Sequence, residues 1–181
     1  MTPSSYRASR ELFVRRWGEM GATWGISRTM AEIHALLFTA TGPLCTDDIM
    51  AALNISRGNA SMNVRELLNW GLIHRVHTRE DRKIYFEAEC DVWEMFRTIS
   101  RERQRREVEP IIETIERCRS MVNPLPRTHD PEERGQAQTY TKRLEEMHEF
   151  LRMTNTASAL LARAGKGNLR RVLQLLAKAI R

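Results

Sequence analysis

The sequence predicts a mainly α-helical protein with a small β-hairpin. A short helix that Thr46 caps and that runs to about Leu53 precedes a second helix that Ser56 caps, and only a tight turn separates the two. Gly71 stands where the second helix should end, a position that favours glycine. The segments LIHRV and KIYFEAE then flank the polar tip HTREDR, which is the pattern of a hairpin. This order of elements is that of a winged helix-turn-helix domain.

Two further helices are expected before this motif. Apolar residues at three- to four-residue spacing form one stripe of a first helix that ends near Gly25: Leu12, Phe13, Trp17, Met20 and Trp24. Ser27 is the expected N-cap of the second helix, which ends before the segment TGP. Leu44 and Cys45 leave room only for a short extended link.

Helices are also expected after the hairpin. Asp91 opens one helix, and Pro110 should kink it or start a new segment because proline lacks the backbone N–H. Asp130 and Pro131 suit the N-cap and first position of another helix, and a last amphipathic helix is expected over residues 169–180. We therefore predict a winged helix-turn-helix DNA-binding domain in residues 1–90 and a helical dimerisation or sensor region in residues 91–181.

The positive charge is concentrated in two places. The formal net charge is +6, and basic residues outnumber acidic ones between Arg57 and Lys83. Residues 163–181 contain several bases and no acid. A local basic excess favours a polyanionic partner such as nucleic acid.

The helix after Ser56 carries groups that suit the major groove. The predicted DNA contacts on it are Ser56, Arg57, Gly58, Asn59, Ser61, Met62 and Arg65. Arg65 can bond guanine O6 and N7 in two-pronged fashion, and Asn59 can do the same with adenine N6 and N7. The serine hydroxyls can bond phosphate oxygens or a base edge, and Gly58 lets the backbone approach closely.

The hairpin tip adds the cations Arg79, Arg82 and Lys83, which are placed to enter a minor groove or contact phosphates. Any exposed helix has polar residues, and a run of charge is usually a solvated face, so no single residue here indicates DNA. DNA binding is indicated instead by the ordered set of tight turn, capped helix, terminal glycine and basic hairpin.

Two segments resemble one known group. GNASMNVRELLNWGLIHRVHTREDRKIYFEAECDVWEMF is similar to the central segment of the GbsR-type branch of MarR-like transcriptional regulators, and RRWGEMGATWGISRTMAEIHALL resembles the helices before it. The resemblance spans about Arg7 to Pro110. It implies a homodimeric winged-helix regulator, often a repressor, with dimer contacts from helices outside the winged domain.

On that resemblance, the recognition helix corresponds to Ser56 through Trp70 and the wing to His77 through Lys83. Some relatives have a glycine in the wing where this chain has TREDR, a departure that could alter the shape of the tip but keeps its charge. The region beyond Asn123 matches no motif.

Four aromatic residues, Trp17, Trp24, Trp93 and Tyr140, are candidates for a cage around a quaternary ammonium effector such as choline, held by cation–π attraction. Certain members of the resembling branch respond to choline-like osmolytes. Against this, tryptophans at helical spacing are more often core residues.

Other functions find little support in the sequence. His74 and His77 would point to opposite faces of a strand, so we expect no metal site and no cofactor. There is no glycine-rich phosphate loop, paired-carboxylate pattern or nucleophile motif, so we do not expect an enzyme. An odd number of cysteines without a signal peptide suits a reducing cytoplasm, and no apolar run approaches the roughly 20 residues that would imply a membrane partner.

The function expected from the sequence is that of a homodimeric repressor that binds a double-stranded DNA operator and responds to a small cationic osmolyte. Two-fold symmetry would require a nearly palindromic operator with half-sites about one helical turn apart. The alternative is a winged helix that serves as a protein-interaction module and has only non-specific affinity for DNA.

Overall fold

The computed structural model describes residues 5–77, 82–122 and 130–163. The chain forms two units, Met1–Thr98 and Ile99–Arg181, and the division falls within a helix that follows the hairpin. The functional division into residues 1–90 and 91–181 stays a prediction. The helix expected over residues 169–180 lies outside the described residues.

The first two helices approach each other closely at two glycines. Helix α1 spans Ser5–Thr23 and α2 spans Arg28–Phe38. A Cβ atom on Gly18 would lie 2.4 Å from Cγ of Glu32, and one on Gly21 would lie 2.6 Å from Cβ of Ala31. A side chain at Gly21 would therefore push the two helices apart, since Ala31 is short and rigid.

The predicted apolar stripe of α1 lies beside this glycine contact, and the stripe is only partly buried. Leu12 and Trp24 are 47% and 50% exposed, while Phe13 and Trp17 pack ring against ring with centroids 5.5 Å apart. The expected end of the helix is confirmed, because α1 ends at Thr23 and Gly25 takes a positive φ of 77°. The stripe differs from expectation because the glycines, and not the large side chains, set the distance between the helices.

The helix-turn-helix has the predicted bounds except at its start, where Cys45 and not Thr46 is the N-cap because the Asp48 carboxylate accepts from the backbone N–H of Cys45. Helix α3 spans Thr46–Leu53, Asn54 turns the chain with a φ of 52°, and α4 spans Arg57–Trp70. Ser56 Oγ accepts a hydrogen bond from the backbone N–H of Asn59 at 3.3 Å, which confirms Ser56 as the N-cap. Gly71 has a φ of 74°, as expected for the glycine that ends a helix.

The sheet has one strand more than the predicted hairpin. Strands β1 (Leu44–Cys45), β2 (Ile73–His77) and β3 (Ile84–Ala88) form an antiparallel sheet in the order β1-β3-β2. The expected extended link is thus a short strand, because it pairs with β3 through Leu44 opposite Phe86. The fold is a winged helix, mainly α-helical with this small sheet.

The core of the first unit lies between α2, α3 and α4. The largest fully buried side chains come one from each of these helices, respectively Ile33, Ile49 and Leu67. Burying such a side chain contributes about 1.5–3 kcal/mol relative to its exposure. This shared core fixes the orientation of α4 relative to the helices behind it.

A widened turn interrupts the helix that follows Asp91. The Asp91 carboxylate accepts hydrogen bonds from the backbone of Trp93 and Glu94 at the start of α5, which spans Val92–Arg103. Residues Gln104–Val108 are π-helical, and α6 spans Glu109–Val122. Pro110, at the second position of α6, cannot donate to the helix ladder. The chain therefore widens before the proline instead of breaking there.

The second unit contains a long helix, α7, over Pro131–Arg163. Its start is as predicted, since Asp130 Oδ1 accepts from the backbone N–H of Glu132 at 2.9 Å. Polar contacts join α6 to α7: His148 Nε2 lies 2.9 Å from Glu116 Oε1. Other α7 side chains are exposed although large and apolar, namely Tyr140, Met147, Phe150, Met153 and Leu160.

One ionisable group is buried among rings in the first unit. The His34 ring lies 6.2 Å from that of Trp17 and 6.3 Å from that of Phe38, and the residue is 3% exposed. Within the described part of the chain, its Nε2 atom has no hydrogen-bond partner. Burial lowers the pKa of His34 to about 4, because the protonated ring would lose its hydration.

We predict that His34 makes the first unit less stable in acid. The unfolded chain takes up a proton at His34 below about pH 6.5, whereas the folded chain resists it until about pH 4, so stability is lost as the pH falls through this window. The expected loss is about 2 kcal/mol at pH 5. Urea unfolding followed by tryptophan fluorescence measures it, since all four tryptophans lie in this unit.

In His34→Leu the dependence of unfolding free energy on pH between 4 and 6.5 should flatten. His77→Gln, which changes an exposed histidine, is the matched control and should leave that dependence in place. An unchanged pH dependence in His34→Leu would contradict the assignment.

Candidate nucleic-acid interface

Helix α4 presents one exposed face. Ala60, Val64 and Leu67 are buried, as the helical periodicity predicts. The opposite face carries the predicted DNA contacts that are exposed in the structure: Ser56, Arg57, Gly58, Ser61, Met62 and Arg65. Met62 on this face is 65% exposed.

Asn59 differs from the other predicted contacts because it is half-buried. Its side-chain Oδ1 and its backbone carbonyl both accept from Nδ2 of Asn63, at 2.7 and 2.8 Å. A carbonyl oxygen can accept two hydrogen bonds, so Asn59 can still accept from an adenine amino group with its second lone pair. Its amide is thus oriented before any ligand arrives.

Asn63 is a residue that the sequence reasoning missed. It is 3% exposed, and its Oδ1 accepts from the hydroxyl of Ser27 at 3.0 Å. Ser27 Oγ in turn accepts from the backbone N–H of Met30 as the predicted N-cap of α2. The signal in the sequence is a polar residue on the apolar side of α4, one position before Val64. Asn63 therefore connects the start of α2 to the Asn59 side chain.

An ion cluster lies at the start of α4. Asp47, in the first turn of α3, places Oδ1 2.6 Å from Nη2 of Arg57 and Oδ2 3.4 Å from Nζ of Lys83. The hydrogen bond and charge of Arg57, and then Lys83, hold the pKa of Asp47 below its ordinary value. Two predicted DNA contacts, one from α4 and one from the base of the wing, thus bind the same carboxylate.

The wing is described at its base. Arg82 and Lys83 are exposed just before β3, and His77 is exposed at the end of β2. Arg79 and the rest of the tip, residues 78–81, lie outside the described residues. Strand β2 begins shortly after α4 ends and pairs with β3. This pairing places Arg82 and Lys83 at the base of the wing.

The proposed aromatic cage stays a prediction. Trp17, Trp24 and Trp93 belong to the first unit, where Trp17 packs against Phe13 and His34. Tyr140 belongs to the second unit, is 44% exposed, and has its pKa raised by a hydrogen bond with Cys118. Trp17 therefore shows ordinary aromatic packing.

Two further observations concern metal ions and membranes. Across residues 5–77, 82–122 and 130–163, no three His, Cys, Asp or Glu side chains come together as metal ligands would. The helices in the same ranges include none with the length and apolar character that crossing a bilayer requires.

The comparisons with known proteins agree with this fold. Residues 24–84, from the end of α1 to the first residue of β3, match the family model described as MarR family. A crystal structure described as a transcriptional regulator aligns with a TM-score of 0.64 at 18% identity, covering 85% of this chain and 95% of that one. No curated protein matches the sequence.

A second similar structure is the S. aureus MepR–DNA complex, with a TM-score of 0.37 at 18% identity over 78% of this chain and 94% of that chain. At that TM-score it supports no statement about this chain. The 0.64 alignment supports the fold.

We predict that Asn63→Ala destabilises the first unit by about 1–3 kcal/mol, because it removes the hydrogen bonds that the buried Asn63 amide makes to Ser27 and Asn59. Urea unfolding followed by tryptophan fluorescence measures the change. Asn69→Ala is the matched control, since it makes the same substitution on the exposed face of the same helix. Equal losses in the two variants would show that the Asn63 contacts contribute nothing specific.

Proposed function

We propose that this protein is a sequence-specific, DNA-binding transcriptional regulator of the MarR type. In this proposal α4 enters the major groove, and the wing over residues 77–83 contacts the adjacent backbone or minor groove. The observation that carries it is the exposed polar and basic face of α4 beside the basic base of the wing. Arg65 on that face has the planar, two-pronged donor geometry that guanine recognition requires.

The family match supports the proposal because it spans the helix-turn-helix and most of the sheet that carries the wing. The similar structure with a TM-score of 0.64 is described as a transcriptional regulator. We place the chain in the GbsR-type branch on the resemblance of residues 58–96 to the central segment of that branch.

We also propose that the protein acts as a homodimer and as a repressor. Large apolar side chains exposed along α7 support the dimer, because rows of such residues on a protein surface mark interaction sites. A two-fold dimer binds a nearly palindromic operator with half-sites about 34–36 Å apart. A repressor of this kind acts by occupying DNA that the transcription machinery needs.

Fluorescence anisotropy tests the proposal. The protein is titrated against DNA from its own upstream region and against a scrambled duplex, across a salt series. A preference of roughly a thousandfold or more for the native fragment is expected of a specific regulator. Weak, equal and strongly salt-dependent binding to both duplexes would favour the alternative, a winged helix that binds a protein partner.

Choline in the same titration tests the proposed osmolyte response. A shift in DNA affinity on adding choline is expected if the aromatic residues form a cation site. Saturating choline that leaves both intrinsic fluorescence and DNA affinity unchanged would remove the effector from the proposal without affecting DNA binding.

For Arg65, we predict that replacement by Ala weakens operator binding by about 1–3 kcal/mol and relaxes the preference at one base pair. Arg65→Lys keeps the positive charge but lacks the two-pronged donor, so it should restore affinity for random DNA and not the base preference. Competition with operators changed one base pair at a time measures both effects. If Arg65→Ala binds operator and random duplexes like the parent, α4 does not use this residue on DNA.

For Arg82, we predict that replacement by Ala weakens binding to all duplexes alike and reduces the slope of log K against log salt by about 0.9, the value for one phosphate contact. Arg15→Ala, at an exposed position of α1, removes the same charge and should leave the slope close to that of the parent. Equal slopes for the parent and Arg82→Ala would exclude a phosphate contact at this position.

A further inference from the structure

The exposed ion cluster of Asp47, Arg57 and Lys83 lies at the start of α4, among the residues predicted to contact DNA. We propose that the Asp47 carboxylate competes with DNA phosphate for Arg57 and Lys83 and so lowers the affinity of the protein for DNA of any sequence. The inference rests on the proposed function of α4 and the wing, and it adds a residue that the sequence pattern does not place at the interface.

The geometry of the cluster supports competition. One carboxylate oxygen of Asp47 lies 2.6 Å from Nη2 of Arg57, and the other lies 3.4 Å from Nζ of Lys83. A phosphate group offers oxygens to the same two kinds of donor at similar distances. The three side chains are 48%, 67% and 54% exposed for Asp47, Arg57 and Lys83, so a phosphate can reach the two cations while Asp47 holds them.

Asp47 makes no contact that α3 needs for its own structure. The neighbouring Asp48 carboxylate accepts from the backbone N–H of Cys45 at 2.9 Å and thereby satisfies the start of the helix. Among the described residues, the side chain of Asp47 bonds only Arg57 and Lys83. Removing its charge therefore changes the cluster without removing a helix cap.

Charge balance then gives the direction of the effect. With Asp47 ionised, its negative charge offsets part of the positive charge that Arg57 and Lys83 present to an approaching phosphate. Without Asp47 that offset is lost. Each additional phosphate charge neutralised on binding steepens the slope of log K against log salt by about 0.9 for duplex DNA. The contribution is independent of sequence, since phosphates are the same at every base pair.

The experiment measures binding of the full chain to operator and scrambled duplexes by anisotropy across a salt series, for the parent, Asp47→Asn and Asp47→Ser. We expect both variants to bind both duplexes roughly threefold to tenfold more tightly at low salt, as expected when exposed ion pairs no longer oppose phosphate binding. The salt slope should steepen by about one contact. The ratio of operator to scrambled affinity should stay unchanged.

Glu11→Gln is the matched control. It makes the same change in net charge and breaks an exposed ion pair, but that pair joins Arg7 and Glu11 within α1. Its DNA affinity should stay close to that of the parent. Thermal melting of each variant should stay close to the parent, because exposed ion pairs and an exposed carboxylate in the first turn of a helix each contribute at most about 1 kcal/mol.

Three outcomes overturn the inference. Unchanged or weaker binding by the Asp47 variants would mean that the carboxylate does not oppose phosphate binding. Equal tightening in Glu11→Gln would mean that overall charge, and not the cluster, sets the affinity. Failure of the parent to bind either duplex at low salt would overturn the proposed function itself, and this inference with it; the parent titration alone distinguishes that case.

Discussion

The hydrogen bonds of the buried Asn63 amide determine how the exposed face of α4 is held. The Asn63 side chain donates to Asn59 on its own helix and accepts from Ser27 at the start of α2. A buried amide without partners costs free energy comparable to that of several favourable contacts, so the fold is restricted to arrangements that satisfy all of them. The start of α2 and the first turns of α4 are consequently fixed relative to each other. The shared apolar core packs the same helices together through non-directional contacts, and the Asn63 hydrogen bonds add directional ones.

On the exposed side of α4, the contacts between side chains are mainly between opposite charges. The chain carries a net charge of +6, yet two cations of the candidate interface are paired, because Arg57 and Lys83 share the Asp47 carboxylate. Exposed ion pairs contribute little to stability because water screens them and side-chain entropy opposes them. Their larger effect is on phosphate binding, since a carboxylate beside a guanidinium offsets positive charge that would otherwise attract the phosphate. Net charge alone is therefore a poor measure of the affinity of this surface for DNA.

The sequence was sufficient for features that depend on neighbouring residues along the chain. Ser27, Ser56 and Asp130 cap their helices as predicted, and Gly71 has the positive φ that its position at the end of α4 requires. Caps and terminal glycines act within about four residues, so a local pattern contains the necessary information. The winged-helix fold followed from the order of such signals. The placement of the exposed side of α4 followed from its 3.6-residue period.

The sequence patterns did not predict features that depend on residues far apart in the chain, because the local sequence does not contain the partner. Asn63 is polar at a core-facing position, and only the presence of Ser27, which is 36 residues earlier, makes that position favourable. The Leu44–Cys45 link becomes a strand because β3 pairs with it, and nothing within the link specifies the pairing. Asp47 fits the first turn of α3 by its interaction with the helix dipole, which conceals its second role beside Arg57 and Lys83.

On its other side, α2 packs closely against α1, and this contact also affects where α2 lies. Gly18 and Gly21 allow α1 to lie against α2 so closely that a Cβ atom on Gly21 would overlap Ala31. The same helix α2 begins at Ser27, whose hydroxyl bonds Asn63, and it contributes Ile33 to the core shared with α4. Packed helices of this kind move as bodies and not by continuous deformation. A displacement of α2 that exceeds the range of a hydrogen bond would therefore break the bond from Ser27 to Asn63 and leave the Asn63 amide held by Asn59 within α4.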